Sequence, residues 1–469
     1  MRLRPVSLAL SLALVSLTGP GRADPPAASS LSGRVSLPAE KYRLANGLEV
    51  ILHEDHRTPI VAINVFYHVG SKDEPAGKNG FAHLFEHVMF KGSRNVPPGM
   101  FDKHLMRAGT SETNGTTNVD RTAYYETLPA NELGLALWLE ADRMGFLLDR
   151  LDQASFERER EVVKNERRQR YENVPYGLVS PVLLRAALYP AGHPYHLATI
   201  GTPEDLDRAS LDDVRAFFQR FYVPNNATLV IAGDIDPAKA KALVEAYFGP
   251  LPRGADPGVK TAPTPVPLAA ETKLAIEADV ELPRVILSWA TVPRHAAGDT
   301  ELEMLSALLT HGKSSRLYKR LVYDLQIAQD VTADQDGGLL AGAFHVVATL
   351  KKGASSDQAR KEIDAELDRL RTAKAGEEEI GRARAGLVPN LLFGLESETT
   401  RASLLNNFNL FAGDPGYLGK HLARYDAASA ADLQRVAQTW LPEGRRIVTI
   451  VTPTAGAPKA GRLVTGSKP

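Results

Sequence analysis

Gly80-Phe-Ala-His83-Leu-Phe-Glu86-His87-Val-Met-Phe-Lys-Gly92 is the stretch on which the reading of this chain turns. It contains His-x-x-Glu-His. On a helix, positions i and i+4 share a face, so His83 and His87 can hold one metal ion between them. Glu86 stands one residue before His87, beside that face, where it can polarise a metal-bound water. Phe81, Leu84, Phe85, Val88, Met89 and Phe90 predict that the helix is largely buried. Buried imidazoles and a buried carboxylate are costly unless hydrogen bonds or a metal satisfy them. With 12 His in 469 residues, such a pattern arises by accident in roughly 2 chains in 100.

Outward from the motif, short β-branched and aromatic runs alternate with helical periodicity. Leu48 to Leu52 and Ile60 to Tyr67 read as strands, and Gly70 to Asn79 as a polar loop. A helix near Met100 to Gly109, a strand near Ala123 to Leu128 and a long helix from Pro129 to Leu147 follow. A charged helix runs from about Leu151 to Tyr171, and Ala227 to Ile231 is a buried strand. Residues 253–275, with Pro257, Pro263, Pro265 and Pro267, read as a semi-rigid linker. Beyond it Ala275 to Ala290 reads as strands and Glu301 to Leu309 as a helix. Helices are then expected up to a last strand, Arg446 to Val451. The halves echo each other: Ala209-Ser-Leu-Asp-Asp213, Pro224 and Ala227-Thr-Leu-Val-Ile are matched by Ala428-Ser-Ala-Ala-Asp432, Pro442 and Arg446-Ile-Val-Thr-Ile. Shared Asp and Pro positions favour a duplication. The second half has no His-x-x-Glu-His, so one half carries chemistry and the other supports it.

Composition narrows the function classes. A chain of this length exceeds one core. The apolar fraction of 43% and charged fraction of 24% are those of a globular protein. A net charge of −1 gives no sign of a nucleic-acid partner. Without cysteine there is neither a disulfide nor a thiolate metal site, so a zinc site must use His and carboxylate. Arg2 and Arg4 precede an apolar run, Val6 to Leu17, too short to span a bilayer, and Gly21-Arg22-Ala23 offers small residues to a signal peptidase. Residues 1–23 therefore read as a signal peptide and 24–38 as a flexible leader, with no stable membrane anchor. The expected location is the periplasm in a cell with two membranes.

A peptidase zinc needs a third protein ligand and an open position. Glu157, Glu159, Glu161 and Glu166 on the charged helix are candidates. Glu159, Val162, Val163 and Glu166 follow i, i+3, i+4, i+7 and share a face, which favours Glu166 or Glu159 without choosing between them. His193 in Gly-His-Pro-Tyr reads as a turn residue, His311 as a helix C-terminus, and His53 and His56 as loop residues.

With these residues the chain resembles the pitrilysin/insulinase family of inverted-motif zinc peptidases, which includes the mitochondrial processing peptidases. Gly80 to Gly92 carries the likeness most strongly. Glu159-Arg-Glu-Val-Val-Lys-Asn-Glu166 resembles the family's downstream acidic helix, which places the distal ligand on Glu166 and a supporting carboxylate on Glu159. Asn114-Gly115-Thr116-Thr117, followed by Asp120-Arg-Thr-Ala-Tyr-Tyr125, resembles the edge strand that pairs with substrate backbone. Gly192-His-Pro-Tyr, Tyr222-Val-Pro-Asn-Asn-Ala, Lys313-Ser-Ser-Arg-Leu-Tyr318 and Phe411-Ala-Gly-Asp-Pro415 extend it across both halves. The implied fold is α+β: two homologous domains, each a mainly antiparallel sheet packed with helices, together forming half of a clamshell. The domains implied are a catalytic one at 39–252 and a non-catalytic one at 276–455, with a frayed tail at 456–469.

One stretch departs from the family. Leu321-Val-Tyr-Asp-Leu-Gln-Ile-Ala-Gln329 has Val322 and Gln329 where active relatives present Arg and Tyr to the substrate. The resemblance then implies the zinc-bearing chain of a two-component enzyme, whose homologous partner supplies the Arg/Tyr pair; a homodimer is the alternative. The expected activity is hydrolysis of peptides or extended segments with one Zn2+ per chain, held by His83, His87 and Glu166, with Glu86 as general base. A non-catalytic assembly subunit and a peptide-binding module with a vestigial site are the rival readings, and the intact motif disfavours both.

Overall fold

The computed structural model describes residues 35–261 and 268–464. The expected signal peptide, most of the leader and part of the linker lie outside these residues. The first half contributes strands β1 (Glu40–Arg43), β2 (Glu49–Glu54), β3 (Ile60–Tyr67), β4 (Glu112–Thr117), β5 (Thr122–Pro129) and β6 (Ala227–Gly233). Its helices are α1 (Phe81–Val88), α2 (Met100–Arg107), α3 (Leu133–Phe146), α4 (Gln153–Arg167), α5 (Arg185–Leu188), α6 (Pro203–Arg208), α7 (Leu211–Phe221) and α8 (Pro237–Phe248). The second half contributes β7 (Thr272–Ala278), β8 (Arg284–Thr291), β9 (Ala328–Gly337), β10 (Gly342–Leu350), β11 (Ile447–Pro453) and β12 (Arg462–Leu463). Its helices are α9 (Asp299–Thr310), α10 (Ser356–Thr372), α11 (Glu377–Gly394), α12 (Glu398–Ala412), α13 (Leu418–Ala427) and α14 (Ala430–Trp440).

Each half builds one six-stranded sheet, ordered β1-β2-β6-β3-β5-β4 in the first and β12-β7-β11-β8-β10-β9 in the second. The last five positions match in chain order, while the outermost strand comes from the start of the first half and from the end of the second. In each sheet one pair is parallel, β2 with β6 and β7 with β11, and the rest are antiparallel. The repeat extends to helix starts. Ser210 and Asp213 form a capping box on α7, and Ser429 and Asp432 form the same box on α14. Left-handed Gly80 precedes α1, and left-handed Gly298 precedes α9.

The halves also cover each other. In β3 every residue but the first is buried, which requires a cover on both sheet faces. One face, with Val61, Ile63 and Val65, packs on helices of its own half. The other, with Ile51, Ala62, Val230 and Ala232, joins the core built by the second half, where α12 lies across β3 and β6. In return Val179, Leu184, Leu188 and Tyr189 of the first half pack on Leu274, Ile276 and Ile286 of the second sheet.

Several expectations are corrected. Helices do not fill the chain between residues 310 and 446, since β9 and β10 form a hairpin there. The strand after the linker begins at Thr272 rather than beyond residue 275. Residues 456–464 of the tail are not frayed: β12 pairs with β7, and the Tyr176 and Leu178 amides donate to the Lys459 and Ala460 carbonyls. His53 is no loop residue but lies buried in β2, its Nδ1 2.7 Å from the Pro38 carbonyl. His193 does sit in a turn, accepting from the Tyr195 amide, and His311 does end α9.

Candidate metal centre

Helix α1 is seated from its N-terminus. Gly80 takes φ +100°, and its α-carbon crosses that of Gly201, so a Cβ on Gly201 would lie 2.6 Å from it. Such a crossing requires glycine. The Glu74 carboxylate accepts from the Gly80 and Ala82 amides at 3.0 and 2.9 Å and from Asn79 Nδ2 at 2.9 Å. Burial pushes Glu74 up to about 8, against those three donors. Sequence reasoning missed Glu74; the acid pair Asp73-Glu74 shortly before the helix was the available sign. From α4, the Arg167 guanidinium donates to the Gly201 carbonyl and to Glu172.

On this seat His83 and His87 stand edge to face, with ring centroids 4.9 Å apart. Glu166 Oε2 is 2.9 Å from His87 Nε2 and 3.5 Å from His83 Nε2. One ligand atom from each of the three lies within 4.8 Å of the others. Burial drives the His83 pKa down to about 4, so the ring is neutral. The hydrogen bond with His87 holds Glu166 below the usual carboxylate range. Two imidazole nitrogens with an ionised carboxylate are the donor set zinc takes where a site stays open. These residues fit a zinc ion.

Glu86 is half-buried beside the cluster and outside it, and burial raises its pKa. Strand β4 is the edge of its sheet. Asn114, Gly115, Thr116 and Thr117 line one cavity of about 370 Å³ with His83, Glu86, His87 and Glu166. Gly115 is so close that a Cβ there would lie 3.0 Å from Glu86 Cγ.

Two expectations about α4 need revision. Val162 is 41% exposed, so the buried stripe runs Phe156, Glu159, Val163, Arg167, with Glu166 at its margin. Glu159 is buried but does not hydrogen-bond to either histidine; it pairs with Lys91 at 3.2 Å, tying α4 to the turn after α1. In the second half, α9 carries Glu301, Met304 and Leu305 at the places of His83, Glu86 and His87. A further grouping, His53, Asp55 and Glu398, already holds a cation, because the Arg401 guanidinium binds both carboxylates.

A duplicated α+β chain whose described residues form a His/His/Glu cluster in the first half, beside a carboxylate outside that cluster and an open strand edge, is a metallopeptidase scaffold of the inverted-motif class. Residues 49–198 match the family described as Insulinase (Peptidase family M16), and residues 208–387 match the Peptidase M16 inactive domain. The zinc protease PqqE of Helicobacter pylori is 30% identical over 420 residues, 88% of this chain and 93% of that one. A crystal structure of a protease from Helicobacter pylori superposes with a TM-score of 0.81 at 28% identity, covering 89% of this chain and 100% of that one. The mitochondrial-processing peptidase subunit beta of Blastocladiella emersonii is 23% identical over 90% of each chain. The chain belongs to the insulinase (M16) family of peptidases.

Proposed function

We propose that the chain is an exported zinc endopeptidase acting on peptides or extended polypeptide segments. One observation carries the reading: a single cavity contains a three-atom zinc-type donor set, a carboxylate outside that set and an unpaired strand edge. His83, His87 and Glu166 of the catalytic half, residues 39–252, hold one zinc ion, which supplies Lewis-acid polarisation of the scissile carbonyl and acidifies water. Glu86 takes the proton of the attacking water and delivers it to the leaving amine. The outer edge of Asn114 to Thr117 holds the substrate backbone as an added strand. Glu159 acts at one remove, fixing the end of α1 through Lys91. The half at 276–455 supports the first and contributes no metal ligand.

Export rests on the basic, apolar and small-residue pattern of residues 1–23; among the described residues no helix is long and apolar enough to cross a membrane. A homologous partner chain is part of the proposal. It rests on Val322 and Gln329, and on the likeness to a chain named as the beta subunit of a processing peptidase.

Metal analysis and peptide hydrolysis test the core of the reading. The purified mature chain should carry one zinc. Glu86→Gln should keep that zinc and lose at least about a hundredfold in turnover. Full turnover by Glu86→Gln would remove Glu86 from its role.

A further inference from the structure

The cavity at the metal cluster opens into a larger one. Thr117, Tyr171 and Thr199 line both, and the second, of about 600 Å³, lies between the two halves. It begins where β4 ends, since Asn118 and Val119 are in its wall. An antiparallel strand added to β4 runs opposite to it. The substrate residues that enter this space are therefore those a few positions before the scissile bond.

The charges around this space are unevenly committed. Asp120 is saturated: Oδ1 accepts from the Tyr195 hydroxyl at 2.6 Å and Oδ2 from the Leu339 amide at 3.0 Å. Glu303 accepts from the Tyr425 hydroxyl, and burial pushes it up to about 7. Asp336 is largely exposed and lies 3.7 Å from Arg294. Arg121 and Arg185 have no carboxylate within ion-pair distance among the described residues. Arg121 donates to the Thr116 carbonyl and hydroxyl at 2.8 and 2.6 Å, and its Nε is buried without a partner. Arg185 makes one long hydrogen bond, 3.4 Å, to the Tyr195 carbonyl and lies 6.0 Å from the Tyr189 ring centroid, and neither partner is an anion. A half-buried guanidinium without an anion is unfavourable unless something arrives to pair with it.

We propose that this inter-half cavity is a subsite for a carboxylate-bearing residue on the amino side of the scissile bond, gripped by Arg185 with Arg121 at the entrance. The proposal rests on the peptidase reading above and names its substrate preference. A guanidinium fork recognises a carboxylate through two parallel N–H donors, which neither an amide nor an ammonium reproduces.

The test separates binding from turnover. The full mature chain bearing Glu86→Gln is titrated against fluorescent, unstructured peptides carrying a single Glu, Gln or Lys scanned across the residues before the cleavage position. At one position the Glu peptide should bind about tenfold more tightly than the Gln peptide, and the Lys peptide more weakly still. Raised salt should shrink the difference. Arg185→Gln should level the Glu and Gln peptides, and Arg185→Glu should favour Lys at the same position. Arg185 is the residue to change because Arg121 lies near Glu86. Two variants guard against misfolding, which circular dichroism would report. Equal binding of all three peptides, or a Glu preference that survives both variants, overturns the proposal. If the Glu preference appears while the wild-type chain cleaves nothing even with a homologous partner bearing the Arg/Tyr pair, the subsite stands and the peptidase reading falls. If peptides are cleaved without regard to charge, the reverse holds.

Discussion

Glu166 is where charge matters most at the candidate metal centre, because the two histidines supply no negative charge. Glu166→Gln keeps the shape and removes that charge. It should weaken zinc binding by more than the roughly 10- to 100-fold that outer partners are worth, read as zinc content after dialysis against a weak chelator. Full retention would move the third ligand elsewhere, with Glu159 next. His83, Glu86 and His87 were legible in the sequence because i, i+4 spacing fixes their geometry before any tertiary contact exists. The choice of Glu166 over Glu159 was not legible from spacing, because i and i+7 share a face of α4 and only packing against α1 separates them. Glu74 was hidden for a related reason: its partners are backbone amides brought to it by a loop. Another buried group sets a pH dependence. Burial lowers the His68 pKa to about 4 while its Nε2 stays 2.9 Å from the Thr228 hydroxyl. As pH falls below about 6.5 the unfolded chain takes up a proton there and the folded chain does not. The stability present above 6.5 is therefore lost on the way down to 4. In metal-free protein, His68→Gln should lose less stability than wild type between pH 7 and 4.5, by roughly 1 to 3 kcal/mol, read by chemical denaturation. Equal losses would mean that His68 is protonated in the fold.

At the scale of elements, the site is the meeting of α1, α4 and β4, and two glycines set how closely they meet. Gly115 lies in a strand where its backbone angles suit any residue, so the nearest atoms that Gly115→Ala meets are side-chain ones, of Glu86, Phe90 and Tyr124. It should keep zinc and thermal stability while lowering kcat/KM at least about tenfold, through displacement of Glu86. Gly201→Ala differs: φ is +84° and the new Cβ strikes the Gly80 backbone. That variant should lose stability by roughly 1 to 3 kcal/mol and loosen zinc with it. A thermal-shift series with zinc analysis checks both, and equal behaviour of the two variants would mean that α1 is not seated on the 198–202 loop. The elements that resisted reading were those whose burial comes from afar. Strand β9 is rich in Asp and Gln, which masks it locally, whereas β10, with Phe344, Val346 and Val347, carries a strand signal that sequence reasoning missed. Strand β12 has two residues and exists because β7 offers it an edge. Strands β3 and β6 were plain because burial on both faces demands an unbroken apolar run.

At the scale of the whole molecule, the second half does more than echo the first. Its α12 covers a sheet face that would otherwise expose Ile51, Ala62, Val230 and Ala232. Asn406 Nδ2 donates to the Asn64 carbonyl and side chain at 3.1 and 2.8 Å across that boundary. The duplication was legible as Ser, Asp and Pro at matching places; the exchange of covering helices was not, since both helices are apolar whichever sheet they meet. The second half also presents Val322 and Gln329 where the family resemblance implies Arg and Tyr. Val322 is half-buried, Gln329 is exposed, and neither lines the cavity at His83 and Glu166. A chamber built from two copies of this chain would hold two zinc ions and no Arg/Tyr pair to grip the substrate near them. The lone chain, even as a homodimer, should therefore be a poor peptidase, with the loss mainly in productive binding because the zinc ligands and Glu86 are intact. A homologous partner bearing the pair should restore activity as a heterodimer, and Val322→Arg with Gln329→Tyr should recover part of it in the homodimer. Hydrolysis of an unstructured peptide by the chain alone, by the mixture and by the double variant decides, with oligomeric state followed by light scattering. If the lone chain cleaves as fast as the mixture, the two-component reading fails and the chain is self-sufficient.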